Sequence, residues 1–169
     1  PVRFLIAECN TPFTVLSALY FAKLFGVADK IDISPLFETG VALDQGHEII
    51  AELLKNPTYV DYVKTRGRIC MQTGFSDAGR YIGQVPASLA IERIRIKLAK
   101  RMQQSGIEGV DLLIFDTHGE SIGRGAHPLS FADRLDYTYP PHARACFKSA
   151  GIHAKQEVSF QGGDGYVYF

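Results

Sequence analysis

The run DLLIFDTH, residues 111–118, passes from four consecutive apolar residues directly into Asp-Thr-His. An unalternating apolar run of this length reads as a strand covered on both faces, the kind found in parallel sheets flanked by helices. Working outward, three more runs share the form. RFLIA (3–7) leads into Glu8-Cys9-Asn10, IDISPLF (31–37) into Glu38, and RICMQTGF (68–75) into Ser76-Asp77. Helical patterns lie between them. One opens at Thr11-Pro12 and carries Phe13, Leu16, Tyr20 and Leu24 before Gly26. Another carries Ile49, Ile50, Leu53 and Leu54 and stops at Asn56-Pro57, with a short helical turn over residues 59–64. The longest spans residues 87–104, with Leu89, Ile94, Leu98 and Met102 inward and Arg93, Arg95, Lys97, Lys100 and Arg101 mostly solvated. Strands alternating with helices predict parallel βα units. The tail differs. Residues 125–154 are rich in Pro, His, Tyr and Gly and predict at most a short helix over 143–149, followed by the strand-like runs QEVSF and GYVYF.

The chain has 169 residues, 46% of them apolar, which permits a sizeable core and excludes disorder as the main state. Eighteen basic side chains balance eighteen acidic ones, so no bulk charge attracts nucleic acid or an acidic membrane. Three cysteines, Cys9, Cys70 and Cys146, have no paired spacing and read as reduced thiols of a cytoplasmic protein. No apolar run approaches the ~20 residues of a membrane span. The sequence opens on Pro1 without an initiator methionine, and only four clear βα strands are present. A closed barrel needs eight strands and typically ~250 residues. The expectation is an α/β fragment, residues 1–169, forming about half of one TIM-type (β/α)8 barrel domain with helical elaborations.

In such a barrel the strand C-termini converge on one face, which carries the chemistry. Converging acids repel unless a cation sits among them, and Mg²⁺ or Mn²⁺ suits an oxygen environment of one or two carboxylates completed by substrate and water. Glu38 and Asp77 together are read as that metal site, while Glu8 is read as a helix-start residue. The loop THGESIGRGAHP (117–128) adds Gly119, Gly123, Gly125 and Arg124, a backbone able to approach a ligand and a guanidinium suited to phosphate or carboxylate. A metal and an Arg/Gly loop on one face point to a phosphorylated or polycarboxylate substrate. His118, just beyond a strand end, is a functional candidate. His127, His47, His142 and His153 read as incidental. Arg80, at a helix start where a cation is disfavoured, suggests a local anionic partner. No P-loop, dinucleotide fingerprint or nucleophile elbow is present.

The segments IAECNTPFTVL, SPLFET, GFSDAGR and SIGRGAHP, in this order, resemble the C-terminal half of the phosphoenolpyruvate carboxylase barrel. That resemblance implies Mg²⁺- or Mn²⁺-dependent carboxylation of phosphoenolpyruvate by bicarbonate to oxaloacetate and phosphate. It implies Glu38 and Asp77 as metal ligands and Leu36 beside the substrate methylene. It implies Arg124, between Gly123 and Gly125, as the loop arginine that holds bicarbonate or carboxyphosphate. Arg80 stands where the family has lysine, as a substrate contact. It further implies a cytoplasmic homo-oligomer, a tetramer, with no nucleic-acid or membrane partner.

Three positions depart from the family pattern FHGRGG. Asp116 replaces its histidine, His118 its first arginine and Glu120 a glycine, and the family's later TEQGE reads Ser159-Phe160-Gln161-Gly162-Gly163. Asp116 is expected to accept a proton, and a protonated His118 to contact phosphate, as catalytic residues. Two alternatives stay open: a non-catalytic homologue that binds metal and an anion, and a diverged enzyme acting on another enolisable acid with Asp116 as base.

Overall fold

The computed structural model describes residues 2–122 and 126–158, without the side chain of Glu120. Five parallel strands lie in chain order across one sheet: β1 (Val2–Ile6), β2 (Ile31–Phe37), β3 (Arg68–Thr73), β4 (Asp111–Asp116) and β5 (Ala154–Val158). Val2 pairs with Ile31, Arg68 with Asp111, and Leu112 with Ala154. Between the strands run α1 (Pro12–Leu24), α2 (Gly40–Leu53), α3 (Pro57–Arg66), α4 (Ser76–Ile82), α5 (Gln84–Ser105), α6 (Phe131–Thr138) and α7 (Pro141–Ser149), with a 3₁₀ turn at His118–Ser121. No helix among the described residues is long and apolar enough to cross a membrane.

The sheet is curled. Flat, five strands would hold β1 and β5 roughly 19 Å apart. Yet Arg3 of β1 reaches Glu157 of β5 at 2.8 Å and lies over the Phe115 ring of β4. Side chains of the two outermost strands therefore meet across a concave face. Strict strand order, parallel pairing and this curvature make the fold α/β and consistent with part of a barrel.

Alternation along each strand sorts residues between the two faces. Ile33 and Phe37 of β2, Ile69 and Met71 of β3, and Leu112 and Ile114 of β4 join the buried cluster under the helices, with Ile50, Leu53, Ile91, Ile94 and Leu98. Their neighbours in sequence occupy the concave face, where Asp32 is buried between Arg66 and Arg68 at 2.7 and 3.1 Å.

Several sequence expectations are corrected. α1 buries Val15, Leu19 and Ala22, whereas Phe13, Tyr20 and Leu24 are exposed. The helix is apolar nearly all round, so periodicity alone cannot choose its inner face. Leu89 is exposed as well, and Arg95, expected in solvent, is fully buried. The predicted turn over 59–64 is a complete helix, α3, capped by the Asn56 side chain accepting from the Tyr59 N–H. The tail forms two helices and a fifth strand. α6 begins at a capping box in which Ser130 and Asp133 each bond the other's backbone N–H. Residues 159–169, which include the GYVYF run and the TEQGE counterpart, lie outside the described residues.

Candidate functional site

The loops following β1, β2, β3 and β4 meet because backbone bonds continue past the strands. The Cys9 N–H donates to the Leu36 carbonyl at 3.2 Å, the Gly74 N–H to Phe37 at 2.9 Å, and the Thr117 N–H to Thr73 at 3.2 Å. The Thr117 hydroxyl in turn accepts from the Phe75 N–H at 2.8 Å.

Glu38 sits between the end of β2 and Thr39, whose hydroxyl caps α2 by accepting from the Ala42 N–H. Asp77 lies in the first turn of α4. Burial pushes the Glu38 carboxyl above its usual range. The Glu8 N–H, bonded at 3.1 Å, pulls it partly back, and the adjacent Asp77 carboxylate pushes it up again through a shared hydrogen bond and like charge. Two acids held so that one discourages ionisation of the other form a donor set that a hard divalent cation relieves. Among the described residues no group of three or more His, Cys, Asp or Glu side chains is placed to hold a metal. A pair fits Mg²⁺, which commonly takes one or two protein carboxylates and fills its other positions with water and substrate.

Gly74 packs directly against Glu38. A Cβ there would lie 2.6 Å from Glu38 Cβ and 3.3 Å from Glu38 Cα, with Leu36 Cδ1 at 3.2 Å. Gly74→Ala is expected to cost about 1–3 kcal/mol in urea unfolding, because the obstacle includes backbone. It should also weaken Mn²⁺ binding; an unchanged affinity would show that the strand-end spacing does not matter to the pair.

Leu36 and Glu38 flank Gly74, and Asp77 lies close enough to Glu38 to raise its pKa. Arg80 ion-pairs with Asp77, and its side chain is 71% exposed, free to turn towards an anion. Glu8, read as a helix-start residue, instead precedes α1 in a left-handed backbone conformation, φ +50°, and its N–H donates to Glu38, a backbone contact with no signal in the sequence. Arg124, Gly123, Gly125 and the Glu120 side chain lie outside the described residues.

Asp116 and His118 are placed elsewhere. Asp116 shares the parity of Leu112 and Ile114 and points into the helix layer, away from the concave face. Its side chain has 0% exposure and accepts four hydrogen bonds. Thr73 Oγ1 and the His118 N–H reach one oxygen at 2.8 and 3.1 Å, and Arg95 and Gln156 reach the other at 2.6 and 3.0 Å. The carboxylate expected to accept a proton is thus enclosed and engaged at both oxygens. His118 is 2% exposed, stacked on Phe75 and set 4.7 Å from the Tyr137 ring, with Nε2 2.9 Å from Ser88 Oγ. Burial pushes its pKa down to about 4, which favours the neutral imidazole at pH 7 over the protonated form expected for a phosphate contact.

A curled parallel sheet with two neighbouring carboxylates past its strand ends is consistent with part of an α/β barrel. The chain belongs to the phosphoenolpyruvate carboxylase family, whose model matches residues 2–132. Over 129 residues, 76% of this chain, it is 31% identical to the phosphoenolpyruvate carboxylase of Marinomonas sp. (strain MWYL1). Identity is 30% to those of Enterobacter sp. (strain 638) and Klebsiella pneumoniae (strain 342) over the same length. The chain spans 14% of the length of these curated relatives.

Proposed function

We propose that this chain supplies the metal-binding strand ends of a phosphoenolpyruvate carboxylase, converting phosphoenolpyruvate and bicarbonate to oxaloacetate and phosphate. The observation that carries this reading is the contact between the Glu38 and Asp77 carboxylates at adjacent strand ends, with Glu38 raised by burial and by its neighbour. In this reading both acids ligate Mg²⁺ or Mn²⁺, and the cation, when bound, stabilises the enolate oxygen as a Lewis acid. The Glu8 N–H fixes the Glu38 carboxylate, Leu36 borders the methylene end of the substrate, and Arg80 turns from Asp77 to the anion. Arg124, between Gly123 and Gly125, takes the bicarbonate side. The same reading carries a cytoplasmic homo-oligomer, a tetramer by family resemblance.

A second reading is favoured by Asp116 and His118, which stand at family positions yet are withdrawn into the helix layer: a homologue that binds metal and an anion without turnover. The diverged enzyme with Asp116 as base gains no support, since that carboxylate is buried and fully engaged.

Mn²⁺ titration followed by electron paramagnetic resonance tests the carboxylate pair. Glu38→Gln and Asp77→Asn are each expected to weaken binding at least tenfold, about 1.4 kcal/mol, and unchanged affinity in both sinks the metal assignment. A coupled oxaloacetate assay on the purified protein then separates the readings. Turnover supports the carboxylase; binding of phosphoenolpyruvate without consumption supports the second.

A further inference from the structure

We propose that Tyr137 is a positioning residue, bracing through its hydroxyl the 3₁₀ turn at the root of the glycine-rich stretch, and that sequence beyond the family match supplies this brace. The family match ends at residue 132, whereas Tyr137 lies in α6. Its hydroxyl is 2.6 Å from Ser121 Oγ and 3.3 Å from Ser88 Oγ. Ser121 Oγ donates to the His118 carbonyl at 2.8 Å, and Ser88 Oγ to the Gln84 carbonyl at 3.0 Å.

Those two bonds fix the direction of the others. With the Ser121 proton committed to His118 and the Ser88 proton to Gln84, each serine oxygen is left to accept. Tyr137 O–H therefore donates to Ser121, and His118 Nε2–H to Ser88. This choice of tautomer leaves only a lone pair on the buried, unpartnered Nδ1, a smaller penalty than an orphaned N–H. Every proton in the chain thereby has one acceptor, and α5, α6 and the turn are tied at a single point.

The turn they hold closes the base of the loop. The Ile122 N–H donates to Gly119, and Ile122 pairs with Ala126 across residues 123–125. The phenol ring alone packs on His118; the hydroxyl alone reaches Ser121. The two contributions can therefore be separated by one substitution.

Amide hydrogen exchange on Tyr137→Phe, which keeps the ring, is the test. A lost hydrogen bond of ordinary strength predicts exchange at residues 119–122 accelerated roughly threefold to tenfold, with β2 and β3 amides unchanged. Ser121→Ala, which also removes the bond to the His118 carbonyl, should accelerate exchange at least as much, and the double variant should be no faster than Ser121→Ala alone, because the Tyr137 bond is already lost there. Unchanged exchange at 119–122 in Tyr137→Phe, or independent addition of the two effects, overturns the proposal. Only the catalytic consequence rests on the carboxylase reading: kcat is expected to fall severalfold at unchanged Mn²⁺ affinity. A wild-type protein that forms no oxaloacetate would refute that reading while the exchange experiment still decides the brace.

Discussion

Replacing Arg95 with methionine is expected to destabilise the fold by about 3–5 kcal/mol, the usual cost of stripping one partner from a buried ion pair. Arg95 and Asp116 both have 0% side-chain exposure and meet at 2.6 Å. Arg95 also donates to the Thr138 carbonyl at 2.7 Å and lies over the Tyr139 ring. Without the guanidinium, Asp116 keeps three neutral donors but no countercharge, and no solvent reaches it to compensate. The damage should spread along one seam, since the pair ties the end of β4 to α5, to α6 through Thr138 and to β5 through Gln156. Removing both charges is a different perturbation. A buried pair repays its desolvation poorly, so Arg95→Met combined with Asp116→Leu should be more stable than Arg95→Met alone. Urea unfolding of the three variants measures this. A loss below about 1 kcal/mol for Arg95→Met would mean that water relieves the remaining carboxylate.

That pair also marks what the sequence hid. Strand positions and the Glu38–Asp77 convergence were legible because they need only apolar runs and the rule that parallel strands end on one face. β2 occupies residues 31–37 as read. The face of Asp116 was not legible, because the residues before it are apolar on both sides of the sheet and their alternation carries no phase. Arg95 gave a weak signal: it stands four residues after Ile91 and three before Leu98, both buried, yet its neighbours Arg93, Lys97 and Lys100 made the segment read as solvated. The start of α6 had a clear one in Ser130-x-x-Asp133, obscured by the prolines around it. At two positions that depart from the family pattern, Asp116 and His118, the side chains are buried in a hydrogen-bonded network that reaches the end of β3 through Thr73 and Phe75.

That network should also make stability depend on acid through His118. Its folded pKa is depressed to about 4, against ~6.5 in an unfolded chain, so the unfolded state binds the extra proton between those values. The favourable neutral form contributes fully above pH ~6.5, and the contribution is lost as pH falls from there through about 4. The shift corresponds to about 3 kcal/mol. Asp116 favours the imidazolium, but burial outweighs it, and Arg95 opposes it. His118→Gln keeps a group able to bond Ser88 and cannot titrate. Glu38, whose pKa is raised, contributes with the opposite sign, but it is common to both proteins and cancels in the comparison. Urea unfolding of wild type and His118→Gln at intervals from pH 7.5 to pH 4 is therefore expected to show wild type losing about 3 kcal/mol relative to the variant. Parallel profiles would mean that His118 is protonated or hydrated in the native protein, and the hydroxyl chain through Ser88 would need a different proton arrangement.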